Sequence, residues 1–397
     1  MSAAAPAPAD PAAPADPAAP SAPSAPAPGA PVRLPTLAEL AAAGRRGDPL
    51  ADAVAERVGA DPSVRAELTA ALGGTPARTP AVRALVEEME RTALAVPDVV
   101  QEVSSRIAYT APFAAHVFDI GAGSLLRSYA PPAPAAVLVS TGRLVEGASE
   151  RLLSTGRWLN AASVPGWLRP GRPGFVETGR VRVVHALVRR HAPRVDGHLP
   201  VSQLDQVRTW LDFALVAPVC AEAVGLPLTQ EEQRELFRHW HHLGALLGVE
   251  RPLLAAAVDR AGARELDRRV AALTGPPSRD SRTLTAAGLQ ALADGLVDVS
   301  GLPAGLALPV VRAVARAMHE PRTADALGIG RTPVLDALVP LVAVLVRARR
   351  ARLRRRPAAW HAMVEANVEA ARRFVEDGAL PAPPLAGVRR ALRLTAA

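Results

Sequence analysis

The stretch Val181-Arg182-Val183-Val184-His185-Ala186-Leu187-Val188-Arg189-Arg190-His191 brings an imidazole between two guanidiniums at helical spacing. On a wheel of 100° per residue, Val181, Val184, Leu187 and Val188 share one broad arc. Arg182, His185 and Arg189, at i, i+3 and i+7, share another, with His185 at the seam. An imidazole placed so can face an apolar plate while arginines reach around its edge. Haem b asks for such a surface: an apolar macrocycle, a neutral imidazole for its iron, and charge-assisted partners for two propionates. Nearby guanidiniums also disfavour protonation of His185, which keeps it able to ligate. The same spacing is what a solvent-facing polar stripe shows, and both readings stand on the residues alone.

Three further groups could carry chemistry. In Arg151-Leu152-Leu153-Ser154-Thr155-Gly156-Arg157-Trp158, Arg151, Ser154 and Thr155 would share a helix face and could donate to bound oxygen or a propionate. The alternative is a helix start or an exposed polar turn. Phe237 to Val249 holds His239, His241 and His242, but no acidic or cysteine residue at i+3 or i+4 completes a metal pattern. Gly244 and Gly248 would instead let a backbone or flat ligand approach. The run Arg347 to Arg356 follows an apolar stretch, Leu338 to Val346, that Pro340 is expected to break. Such a run can lie on an anionic membrane or bind nucleic acid, or it can be a solvated helix face. It has no interleaved aromatics and no nucleic-acid module, so no nucleic-acid partner is expected.

The elements that must position these residues are helical. Long Ala/Leu/Arg/Glu segments with apolar spacing of three or four dominate, and strand-like alternation is rare. Leu37, Leu40 and Ala41 begin one period, and Val82, Leu85 and Met89 mark another within Ala81 to Ala93. Thr229-Gln230-Glu231-Glu232 is a capping box that starts a helix running to about Leu247, closed by Gly248. A helix from Gln203 to Val216 is expected to stop near Pro218. The fold expected is all-α: a disordered Pro/Ala tail at 1–35, an N-terminal helical extension at 36–95, a main domain at 96–350 and a C-terminal helical extension at 351–397.

Composition narrows the class. All 46 Lys/Arg positions are arginine, net charge is +8, and 49% of residues are hydrophobic, enough for a sizeable core. The lone Cys220 excludes an intrachain disulfide and multi-cysteine metal sites. No transmembrane run and no signal-peptide pattern is visible, so a cytoplasmic protein is expected. Phosphate-loop, Rossmann, nucleophile-elbow and paired Glu-x-x-His motifs are absent from the sequence.

Taken in order, Thr141-Gly142-Arg143-Leu144, Arg151-x-x-Ser154-Thr155, Arg182-x-x-His185-x-x-x-Arg189, Gln203 to Trp210 and Trp240 to Val249 resemble the MpaB / latex clearing protein family of haem-dependent oxygenases. The resemblance covers about 100–250 well and the C-terminal helices more weakly. It implies a multi-helix single domain with a globin-like core that holds haem b. His185 would be the iron ligand, supported by Arg182 and Arg189, with Thr209 lining the haem pocket. Arg151 and Thr155 would match the distal segment, where the latex-cleaving branch has a lysine before the threonine and this sequence has Ser154. The glutamate that branch is thought to use as a base has no match by spacing. The implied chemistry is O₂-dependent oxidative cleavage of a C=C bond in a lipophilic, isoprenoid-like small molecule. The alternative is a non-enzymatic helical protein that binds a lipid, a membrane surface or a protein partner through its Arg-rich C-terminal region.

Overall fold

The computed structural model describes residues 33–378 except 113–114, 116, 141–146, 193, 195–197 and 301. The tail at 1–32, the Thr141-Gly142-Arg143-Leu144 motif and the chain beyond 378 therefore lie outside the described residues. Helices α1 (Leu37–Ala43), α2 (Pro49–Ala60), α3 (Val64–Leu72), α4 (Pro80–Leu94) and α5 (Asp98–Arg106) open the fold. Then come α6 (Pro132–Ser140), α7 (Ala148–Ser163), α8 (Pro173–His191), α9 (Gln203–Leu211), α10 (Ala217–Ala223) and α11 (Gln230–Leu246). The chain closes with α12 (Arg260–Thr274), α13 (Arg279–Ser300), α14 (Ala304–Met318), α15 (Pro321–Ala326), α16 (Pro333–Arg354) and α17 (Pro357–Asp377). The architecture is all-α, with no β-strand among the described residues.

Local chemistry explains the helix starts. Thr36 with Glu39, Ser202 with Asp205 and Thr229 with Glu232 form reciprocal capping boxes, each satisfying two amides the first turn leaves open. Proline stands in the first turn of α2, α4, α8, α16 and α17, where its missing N–H costs nothing. The helix over Gln230–Leu246 ends as expected, with Gly248 at φ 79° in the left-handed region.

Two prolines fail to stop their helices. The chain passes from α9 into a π-helical segment, Asp212–Val216, and on through Pro218 into α10. Ala217 N–H bonds to Asp212 O, five residues back, so the wide turn has already abandoned the ladder a proline would break. Pro340 lies inside the continuous α16, exposed, so the carbonyl it leaves unbonded can turn to water.

One large core joins the first helices to the middle of the chain. Leu40, Val54, Leu85 and Met89 from α1, α2 and α4 are fully buried beside Phe175 and Val183 of α8 and Leu243 of α11. A second core gathers Leu126, Leu292, Val311 and Cys220 around the π-helical segment Val117–Leu125. Its glycines allow close approach: a Cβ on Gly121 would fall 2.6 Å from Leu292 and one on Gly123 2.6 Å from Cys220. Burial pushes the Cys220 thiol up to about 12, so it packs as a small hydrophobe and is no nucleophile.

Candidate functional site

α8 carries the candidate residues, and its orientation reverses the ordinary expectation for a surface helix. Arg182 and Arg189 are buried, at 4% and 7% exposure, whereas Val184 on the apolar arc is 52% exposed. The arginine face points inward because carboxylates wait for it. Arg182 Nε donates to Asp48 Oδ2 at 2.6 Å, and its Nη1 donates to Glu88 Oε2 at 2.7 Å and to Leu246 O at 3.3 Å. Arg189 Nε donates to Asp52 Oδ1 at 2.9 Å, and its Nη1 donates to Val201 O. The solvent-facing stripe is thus excluded for both arginines. A guanidinium can sit this deep only because its charge and most of its N–H groups are matched.

Gly248 makes room for that pairing. A Cβ there would stand 2.1 Å from Asp48 Oδ2 and 2.6 Å from Arg182 Nε, at a backbone φ that side chains rarely adopt. Gly244 serves α9 in the same way, since its Cβ would stand 3.0 Å from Trp210. The close approach expected at this glycine pair is therefore made by protein side chains.

His185 occupies the seam between the inward arginines and the outward valines. Its ring is partly buried, and its Nδ1 is inaccessible with no hydrogen-bond partner. Burial first, then the Arg189 and Arg151 guanidiniums, lower its pKa to about 4, against a smaller opposing pull from Asp48. The imidazole is therefore neutral at physiological pH, with a lone pair or N–H not used by the protein. Arg189 Nη2 is likewise buried without a partner. The neighbouring arc opens on a cavity of about 680 Å³ lined by Leu68, Val183, Val184, Leu187, Val188 and Ser140, among others.

α7 packs along α8, with Trp158 Nε1 donating to Thr178 Oγ1 at 3.4 Å. Arg151 and Ser154 are exposed in the first half of α7 and Thr155 is half-buried, so the segment is helical from near its start and is no turn. Arg151 acts electrostatically on His185 and on the Tyr129 hydroxyl, which places its guanidinium at the His185 end of the α7–α8 pair. Ser154 Oγ donates to Arg151 O at 3.0 Å and so is turned onto its own helix. Thr209 is not brought to this group. It is exposed on α9, which packs chiefly on α1, α12 and the segment Asp212–Val216.

The histidine cluster of α11 behaves differently from a metal centre. His239 and His242 are buried, and no group of three His, Cys, Asp or Glu able to hold a metal exists among the described residues. His242 Nδ1 faces Gln101 Nε2 at 3.4 Å, and His241 Nε2 faces Ala257 O at 3.1 Å. Sequence reasoning did not find Asp48, Asp52 and Glu88. They lie 94 to 137 residues from their arginines, and no local pattern links them. It also missed a second buried charge group, in which Asp212 accepts from Arg127 and from Arg208.

The arginine run at the end of α16 divides. Arg350 is buried, with its guanidinium 4.8 Å from the Trp360 ring centroid, and Arg354 lies 4.4 Å from the same ring and bonds Glu232 at 2.6 Å. Burial, with Arg354 beside it, lowers the Arg350 pKa to about 10. Arg349, Arg352, Arg355 and Arg356 are exposed.

The profile of the "ER-bound oxygenase mpaB/B'/Rubber oxygenase, catalytic domain" family matches residues 113–351, more than half of the chain. The chain belongs to that family. A curated relative, the rubber oxygenase of Streptomyces sp. (strain K30), is 25% identical over 173 residues. That alignment covers 42% of this chain and 40% of the relative, so the chain spans about two fifths of the length of that relative. No solved structure matches. The matched region includes α7, α8, α9 and α11, while Asp48, Asp52 and Glu88, which seat the arginines of α8, lie before it.

Proposed function

We propose that the chain is a haem b-dependent oxygenase acting on a lipophilic alkene or isoprenoid-like small molecule, with His185 as the iron ligand. The observation that carries this reading is the state of His185 within an oxygenase family: neutral, with a buried Nδ1 that no protein group serves. An unserved buried polar atom costs about 1–3 kcal/mol, which a ligand on the ring would offset. Arg182 and Arg189 hold α8 through their carboxylates, and Arg189 Nη2 keeps its N–H groups for a propionate. Arg151 and Thr155 supply polar groups from the facing helix, and Thr209 is carried by the resemblance alone. Haem, when bound, would supply O₂ activation for oxidative C=C cleavage. The protein's share is a neutral ligand, an apolar surface and fixed donors. The catalytic domain of this proposal is 96–350, between helical extensions.

Purified protein should show a Soret band that His185→Ala abolishes and His191→Ala does not. Wild-type protein that stays colourless after haem reconstitution would sink the idea.

A second reading, peripheral membrane binding, rests on α16. Val334, Leu338, Leu341 and Leu345 are exposed at three- and four-residue spacing, at 75%, 46%, 62% and 69%. The same stripe continues into the exposed Arg349 and Arg352. No helix among the described residues is long and apolar enough to cross a membrane, so contact of this kind would be with one face. Co-sedimentation with phosphatidylserine vesicles should fall when Leu341, Leu345, Arg349 and Arg352 are all changed to Ser. Equal, negligible binding by both proteins would exclude the reading.

A further inference from the structure

A second buried imidazole stands at the other end of α7. His239 is 1% exposed, and neither of its ring nitrogens has a hydrogen-bond partner among the described residues. It lines a cavity of about 80 Å³ together with Leu159, Phe213 and Trp240 and with polar residues that include Asp119, Asn160 and Ser163. Asn160 lies nine residues beyond Arg151 on α7, about 13 Å of helix rise. The cavity is therefore separate from the His185 end of the same helix. Both π-helical segments reach its wall, through Asp119 and Ile120 and through Phe213. Such wide turns commonly mark places where a backbone is bent for function.

The wall chemistry selects a class of ligand. None of the lining residues is arginine, and the one carboxylate, Asp119, opposes a second anion. Asp119 Oδ1 already accepts from Ile120 N at 2.7 Å, and the Asn160 amide already donates to Gly156 O at 2.8 Å. Tyr109 and Thr110, also on the wall, bond Asn160 O and Ile107 O, and Ser163 adds a hydroxyl there. Both ring nitrogens of His239 are buried without a partner, and a neutral imidazole offers one donor and one acceptor. A hydroxyl has the same pair and can meet either nitrogen. The stacked rings of Phe213 and Trp240, centroids 5.4 Å apart, and the aliphatic side chains would cover a short hydrocarbon. The volume suits a molecule of roughly half a dozen heavy atoms.

We propose that this cavity is a binding site for a small uncharged alcohol, seated with its hydroxyl on His239 and its hydrocarbon against Phe213, Trp240 and Leu159. The site goes beyond the oxygenase reading and does not require haem.

Ligand-observed NMR titration of the purified full chain tests it with 1-hexanol, 1-fluorohexane, hexanoate and hexylamine as probes. Saturable binding of 1-hexanol is expected, roughly tenfold tighter than 1-fluorohexane, which keeps the shape and loses the donor. His239→Leu should bring those two probes to the same affinity. His185→Ala should leave hexanol binding unchanged, so loss of the Soret band and loss of this site are read apart. Should His239→Leu not fold, the wild-type ranking alone decides. No saturable binding, equal affinity of hexanol and fluorohexane for wild type, or tightest binding by hexanoate or hexylamine would overturn the proposal.

Discussion

His185 and His239 are both neutral imidazoles with unserved nitrogens, yet their surroundings differ in kind. Around His185 the neighbours are charged: Arg189 and Arg151 press its pKa down, and Asp48 pulls the other way. Around His239 burial is the main cause and the other is a second histidine, His242, which together take the pKa to about 3. The first ring sits at a helix seam on a rim of ion pairs, beside an apolar arc that stays open. The second is enclosed by aromatic and aliphatic groups. The difference teaches that an imidazole can be held neutral with no guanidinium beside it. The arginines of α8 are therefore better understood as anchors that fix where His185 stands.

The strongest way to break the comparison is to remove an anchor. Asp48→Ala would leave Arg182 buried with Glu88 as its remaining carboxylate and would strip the N-cap of α2. The expected loss is about 3–5 kcal/mol of unfolding free energy, measured by urea titration. Adding Arg182→Met should recover part of it, because the uncompensated charge then disappears. A loss below about 1 kcal/mol would show that the pair is not anchoring α8.

Acid sharpens the comparison with a smaller effect. The folded-state pKa values of His185, His239 and His242, about 4, 3 and 4, lie below the ordinary 6.5. Below pH 6.5 these three groups therefore bind more protons in the unfolded chain than in the folded one, and their share of stability falls as pH drops toward 4, while the raised His198, Asp52 and Asp212 work the other way. Above that value the three groups add no slope. Each should contribute on the order of 1 kcal/mol per pH unit. Urea midpoints measured on haem-free protein should lose one share of this slope with His185→Gln and a like share with His239→Gln. A slope between pH 6.5 and 4.5 that is the same in wild type and both variants would contradict the burial of these rings.

Much of the helical frame was legible because its causes are local. The apolar period of Val82, Leu85 and Met89 predicts a buried face, and all three are buried. Thr229 and Glu232 make the cap their spacing announces. The sequence places breaks at Pro218 and Pro340 that the structure lacks, because a proline breaks only the bonds its helix is making there. A π-helical turn and an exposed face each remove that conflict. The polar stripe of α8 was ambiguous for a different reason. An arginine faces water or the interior according to whether a carboxylate meets it, and Asp48 and Glu88 come from distant helices.

The sequence by itself determined that this protein is built of helices, where a few of them begin, and that His185 shares a face with Arg182 and Arg189. Those properties follow from capping, spacing and composition within a few residues. Only the tertiary structure decided that the arginine face points inward, that Val184 faces out, and that His239 lines a cavity while Thr209 stands apart on α9. Burial and charge pairing are set by residues far apart in the chain, so the packing of whole helices had to be known before the direction of any one side chain could be.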